Sequence, residues 1–137
     1  MTKQDRYNRM WMDVAKVFAR QSHCTRRQVG CVIEKGGRII SQGWNGTPTG
    51  FDNCCEDTDG NTMSHVIHAE PNALDKLARD GACGAEGASM YVTLEPCILC
   101  AVRIANCGVT HVYYEESYRN HDGLAHLIKA GVTVTQL

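Results

Sequence analysis

"SMYVTLEPCILCAVRIANCG", residues 89–108, carries the change of period on which the fold reading turns. Its first six residues, "SMYVTL", form a short apolar run that predicts a buried strand. From Cys97 onward the apolar side chains fall at helical spacing. "CILCAVRIANCG" therefore predicts a helix ending near Gly108, since glycine suits a helix C-terminus. Cys97 and Cys100 lie three apart at the start of that helix, so both sulfurs project from one face. Helix N-termini lower thiol pKa values and favour the thiolate, the form that binds metal. Taken alone, the pair also fits a redox couple or two core cysteines. A redox couple usually follows the first strand of a thioredoxin-like unit, and this pair does not.

Downstream, "VTHVYY" (109–114) predicts a strand, "DGLAHLIKAG" (122–131) a helix and "VTVTQL" (132–137) a last strand. Strands alternating with helices imply crossover units and parallel pairing. Upstream, Tyr7, Met10, Trp11, Val14, Val17 and Phe18 recur at helical spacing and predict an amphipathic helix over about 5–21. "QVGCVIEKGGRIISQGW" (28–44) reads as two strands joined by Gly36-Gly37, an antiparallel hairpin. Asn45 to about His65 is a long polar loop, and such loops are often functional. A further helix follows His68. The order αββαβαβαβ predicts a three-layer α/β/α fold, with a mixed five-stranded sheet covered by helices on both faces. At 137 residues, 43% of them hydrophobic, the chain suits a single domain over 1–137.

A net charge of −1 gives no broad basic footprint, so a nucleic-acid partner is not expected. No run of about 18 apolar residues suggests a membrane span. "MTKQDRYNRMWMD" is too polar for a signal peptide. A soluble cytoplasmic protein is the expectation. Eight cysteines in a reducing compartment point to buried thiols and metal ligands rather than disulfides. Cys31, alternating with apolar neighbours, is expected in the core, Cys107 at a helix end and Cys83 in a loop.

Two thiolates need a third ligand if the site is catalytic, with water taking the fourth position. His68 is the candidate, because it opens the helix that precedes the same strand. Two helix starts can then converge at one end of the sheet. Glu70, two residues on, supplies a base that is not itself a ligand. Pro71 suits an early helix position, where a missing N–H is harmless. Together His68, Glu70, Pro96, Cys97 and Cys100 match the order H-x-E…P-C-x-x-C of zinc deaminases. The chain thus resembles the cytidine deaminase superfamily over nearly its whole length. The resemblance implies one catalytic Zn²⁺ on His68, Cys97 and Cys100, with Glu70 moving protons during hydrolytic attack at C4 of a cytosine ring.

"GWNGTPTGFDNCCED" (43–57), "CTRRQVGCVI" (24–33) and "HAEPNAL" (68–74) are similar to the deoxycytidylate (dCMP) deaminases of phages and eukaryotes. That likeness implies conversion of dCMP to dUMP and ammonia, feeding dTMP synthesis. It also implies a homo-oligomer, a hexamer being favoured over a dimer or trimer, activated by dCTP and inhibited by dTTP, with Mg²⁺ accompanying the effector triphosphate. The implied location is the cytoplasm, that of a host if the chain is phage-encoded. By the same likeness Asn45 contacts substrate and Tyr118 lies near its phosphate; Arg26 and Arg27, just before the first strand, fit either a phosphate contact or solvated charge. Arg79 and Gly46 are implied at an effector site or subunit interface. Cys24 and Cys54, with His65 or His23, are candidate ligands of a second, structural zinc.

Two other readings compete. "VTLEPCILC" (92–100) also resembles the tRNA adenosine deaminases. The Asn45 loop, the lack of basic charge and an aromatic content of only 7% favour a mononucleotide substrate. A non-catalytic zinc-binding module would have no need of Glu70.

Overall fold

The computed structural model describes residues 1–81 and 83–137. The first helix, α1 (Lys3–Ala19), starts two residues before its predicted position. The Thr2 hydroxyl accepts from the Asp5 N–H at 3.0 Å, and the Asp5 carboxylate accepts from the Thr2 N–H at 2.9 Å. This reciprocal cap satisfies two backbone donors that the helix start would otherwise leave open.

The hairpin follows as β1 (Gly30–Lys35) and β2 (Arg38–Trp44). Gly36 and Gly37 both take positive φ, at 62° and 79°, as a two-residue hairpin turn requires. Beyond the long loop come α2 (Ala69–Asp80), β3 (Ser89–Leu94), α3 (Ile98–Asn106), β4 (His111–Glu116), α4 (Asp122–Lys129) and β5 (Thr133–Gln136). The sheet order is β2-β1-β3-β4-β5. β1 pairs antiparallel with both β2 and β3, whereas β3–β4 and β4–β5 are parallel. The mixed five-stranded sheet is the one the sequence predicts.

Alternate residues of each strand enter two separate cores. Cys31, Ile33, Met90, Val92 and Val112 face α2, α3 and α4, together with Ala73, Leu77, Ile104 and Leu127. Val32 and Tyr91 face α1 and pack on Met12 and Ala15. Three helices therefore cover one face and one covers the other, which gives the three layers. Burying each large apolar side chain contributes about 1.5–3 kcal/mol, so this pattern fixes strand register firmly. The Tyr91 hydroxyl, buried under α1, donates to Asn8 Oδ1 at 2.6 Å. Cys31 is fully buried in the larger core, Cys107 caps α3, and Cys83 is exposed in a loop.

Two glycines set how closely helices approach the site. A Cβ on Gly43 would stand 2.7 Å from the Ala69 carbonyl oxygen and 2.8 Å from the Ala73 nitrogen. Glycine there lets the first turn of α2 lie directly on β2. A Cβ on Gly123 would collide with the backbone of Pro96 and Cys97, so the first turn of α4 rests on the segment that opens α3.

Candidate active site

The carboxyl ends of β2, β3 and β4 deliver Asn45, the segment Glu95–Cys97 and Tyr118 to one rim of the sheet. The starts of α2 and α3 meet there. His68 is the residue before α2 and Cys97 the residue before α3, and both have extended backbone. Neither side chain caps its helix by a hydrogen bond. They turn toward each other instead. His68 Nδ1 lies 3.2 Å from Cys100 Sγ and 3.6 Å from Cys97 Sγ. All three donor atoms fall within 4.8 Å of one another.

One imidazole nitrogen and two sulfurs suit Zn²⁺. In a tetrahedral zinc site nitrogen and sulfur stand about 3.6 Å apart, close to the observed spacings. Three protein ligands rather than four is the arrangement of a catalytic centre, which keeps one position open.

The electrostatics follow from this crowding. The Cys97 thiol is pushed down to about 4, first by a hydrogen bond from the Cys100 thiol and further by His68, against burial. Cys100 is pushed up as the donor in that pair and by burial. The hydrogen bond to Cys97 raises His68. Glu70 sits in the first turn of α2, only 4% exposed, and burial pushes its carboxyl up to about 7. A carboxyl held there can both take and return a proton near neutral pH.

The cluster opens on a cleft of about 540 Å³ that Glu70, Asn45, Arg26, Arg27, Tyr118 and Arg119 also line. Asn45 acts here as a fastening between strand ends. Its Oδ1 accepts from the Val29 N–H at 2.9 Å, and its Nδ2 donates to the Arg27 carbonyl at 2.8 Å. The Arg27 guanidinium stands 5.7 Å over the Tyr118 ring, a cation–π contact. The Arg26 N–H donates to the Glu56 carboxylate at 3.2 Å. Gly46 pairs with Ile67 through two backbone hydrogen bonds, which closes the long loop at its base. Arg79 is exposed in the last turn of α2, away from the residues lining the cleft.

The second group of cysteines differs from its sequence reading. Cys24 is disulfide-bonded to Cys55, not free. Cys54, the expected partner, is exposed, and its thiol donates to the Glu56 carbonyl at 3.1 Å. His65 stacks at a tilt on Phe51, 5.8 Å between ring centres. Cys24, Cys55 and Glu56 form the donor cluster, in place of Cys24, Cys54 and His65. Of the two adjacent cysteines, Cys55 is buried against Cys24 and Cys54 is exposed.

Reading the sequence passed over three residues at the cleft. Glu95 is 2% exposed and pairs with His121. Arg119 lines the cleft beside Tyr118. Glu56 holds the Thr25 and Arg26 N–H groups. The available signal for Glu95 was a carboxylate at the end of an apolar strand, which burial obliges to find a partner.

A three-layer sheet domain with an N/S₂ donor set beside a buried carboxylate defines the class of zinc-binding deaminase domains. The family described as the cytidine and deoxycytidylate deaminase zinc-binding region matches residues 5–116, and the chain belongs to it. The deoxycytidylate deaminase of Saccharomyces cerevisiae is 37% identical over 136 residues, which cover 92% of this chain and 43% of the relative. That of Enterobacteria phage T4 is 34% identical, covering 90% of this chain and 86% of the phage protein. This chain thus spans less than half of the yeast relative and most of the phage one. Among solved structures, the dCMP deaminase of cyanophage S-TIM5 in complex with dCMP and dUMP superimposes with a TM-score of 0.93 at 40% identity. That match covers 100% of this chain and 99% of the cyanophage protein. A tRNA:A34 deaminase, at 23% identity and a TM-score of 0.67, shares the fold.

Proposed function

We propose that this chain hydrolyses dCMP to dUMP and ammonia. One observation carries the reading: His68 and Cys97 of the donor cluster line a single cleft together with Glu70 and three arginines, Arg26, Arg27 and Arg119. A cluster for ring hydrolysis beside a cationic wall suits a cytosine nucleotide better than a nucleoside. Likeness to the cyanophage enzyme crystallised with dCMP and dUMP supports the same substrate.

His68, Cys97 and Cys100 would hold Zn²⁺, which lowers the pKa of water toward about 7 and supplies a nucleophile at neutral pH. Glu70 takes the proton that the water gives up. It delivers that proton to the ring nitrogen next to C4, which makes the carbon more electrophilic. The water oxygen bonds to C4, and its remaining proton then passes through Glu70 to the amine, so the C4–N bond breaks, ammonia leaves and the C4 carbonyl forms. Burial raises the Glu70 carboxyl, which favours its holding a proton between the two transfers. The guanidiniums bind the phosphate and orient the ring; Asn45 and Tyr118 complete the wall.

The finer reading is a homo-oligomer, a hexamer being favoured, activated by dCTP and inhibited by dTTP, with Mg²⁺ on the effector triphosphate. Its physical support is the loop 45–67, which contributes Asn45 and Glu56 to the cleft wall. A nucleotide that stabilised one arrangement of this loop would change substrate affinity, and linkage makes the effect reciprocal. Arg79 and Gly46 belong to this part of the reading. If the Cys24–Cys55 bond is reduced, a second Zn²⁺ has Cys24, Cys55 and Glu56 as its donors.

The test is ammonia release from dCMP, dCTP, deoxycytidine and a tRNA stem-loop, at equal enzyme and with metal content measured. The reading expects dCMP to have the highest kcat/KM. Equal use of deoxycytidine, or preference for the stem-loop, contradicts it. Saturation with dCMP in the presence of each triphosphate, alongside sedimentation, tests regulation separately. Hyperbolic curves unmoved by either nucleotide, from a monomer, would remove the regulatory part only.

A further inference from the structure

We propose that Glu95 is a positioning residue that sets preference for a phosphorylated substrate by fixing the loop that carries Tyr118 and Arg119. The proposal rests on the dCMP reading above. Glu95 lies two residues before Cys97, and its side chain is fully buried. One carboxylate oxygen accepts from the Tyr118 N–H at 3.1 Å. The other lies 2.8 Å from His121 Nδ1, in a ring whose side chain is 65% exposed. A buried carboxylate is costly unless its oxygens are paired. Here both partners come from a single irregular segment between β4 and α4. Glu95 therefore ties that segment down at two points three residues apart.

The segment forms part of the cleft wall. Tyr118 and Arg119 both line it. The Tyr118 ring in turn receives the Arg27 guanidinium at 5.7 Å, from the opposite segment before β1. Glu95 thus controls, through Tyr118, the placing of guanidiniums on two separate segments. None of these groups belongs to the donor cluster.

The metal-binding segment has its own supports. The Glu95 N–H donates to the Glu116 carbonyl at 2.8 Å, a bond that survives any change of side chain. Gly123 keeps α4 against Pro96 and Cys97. Loss of the Glu95 carboxylate should then loosen residues 117–121 while Cys97 stays in place. That separation distinguishes positioning of the phosphate wall from support of the metal site.

The experiment compares wild type with Glu95→Gln and His121→Ala on two substrates, dCMP and deoxycytidine, with zinc measured in each preparation. His121 is largely exposed, so its truncation reports on the contact even if the Glu95 variant folds poorly. The expected result is a rise of about tenfold or more in KM for dCMP, as misplacement of binding groups produces. kcat for dCMP should stay within about twofold, with deoxycytidine kcat/KM and zinc content unchanged, since the hydrogen bonds of the Glu95 carboxylate run to Tyr118 and His121 and not to the ligands or Glu70. The double variant should show less than the product of the two single effects. Equal losses on both substrates, loss of zinc, or an unchanged dCMP KM would each overturn the proposal. A wild-type enzyme indifferent to the phosphate would instead overturn the dCMP reading itself.

Discussion

Two cysteine clusters contribute to the same cleft, and they are built on different supports. His68, Cys97 and Cys100 stand on the first residues of two helices whose apolar faces lie on the sheet. Cys24, Cys55 and Glu56 come from two irregular segments outside the helices and strands. Their ties are local. Cys24 bonds to Cys55, Glu56 accepts from Thr25 and Arg26, and the Ser22 hydroxyl donates to the Asn45 carbonyl at 2.8 Å. The first cluster inherits its geometry from the core, whereas the second makes its own. The first should therefore carry the chemistry and the second should carry loop stability.

The sharpest way to break this comparison is to remove one sulfur from each. Cys97→Ala should lose zinc and turnover together, to the background rate. Under oxidising conditions, where Cys24 is held in its disulfide, Cys24→Ser should keep zinc at the wild-type level. Metal analysis of both variants decides the matter, and zinc lost from Cys24→Ser would collapse the distinction. Stability should move the other way. Opening the Cys24–Cys55 link by Cys55→Ser should cost about 2–4 kcal/mol through the freedom returned to the unfolded chain. Urea titration of wild type and variant measures it, and an unchanged midpoint would mean the link does not support the loop.

A smaller effect probes how the core holds the first cluster. Gly43→Val forces α2 off β2 and should cost about 1–3 kcal/mol as overpacking. Turnover should fall as well, because His68 and Glu70 move with the helix. Thermal denaturation beside a kinetic assay checks both; a variant equally stable and active would show that the close approach is not required.

The smallest effect is one of pH. Desolvation, the largest single influence, raises the Glu56 carboxyl, but hydrogen bonds from Arg26 and Thr25 outweigh it and leave it below its ordinary 4.5. The folded state then binds fewer protons there than the unfolded state. Its stabilising effect is present above the ordinary value and disappears as pH falls through the lowered one. Glu56→Gln should be slightly less stable than wild type at neutral pH and equal to it in acid. A stability gap independent of pH would assign the loss to something other than this carboxylate.

Much of the fold was legible because its second half alternates strand and helix periods cleanly, and because Gly36-Gly37 marks the hairpin. The chemical centre was legible because helix starts fix where His68, Glu70, Cys97 and Cys100 point. Other features depend on contacts that spacing does not encode. Thr2 begins α1 early through a reciprocal bond with Asp5. The irregular register between Ile33 and Glu34 has no glycine to announce it. Which of Cys54 and Cys55 meets Cys24 turns on one bend of the loop, and both have identical chemistry. Glu95 and His121, 26 residues apart, meet only because α4 packs on Pro96 and Cys97. Asn45 lines the cleft, and the bonds of its amide to Val29 and Arg27 are likewise not encoded in spacing.

The central claim is that zinc held by His68, Cys97 and Cys100 works only together with the proton transfers of Glu70. The most direct measurement is dCMP turnover by Glu70→Gln, with zinc determined on the same sample. The amide keeps the size and some hydrogen bonding of the carboxyl but cannot carry a proton. The account expects zinc equal to wild type and kcat lower by about 10²–10⁴-fold or more. A zinc-loaded Glu70→Gln enzyme with near-normal kcat would contradict it.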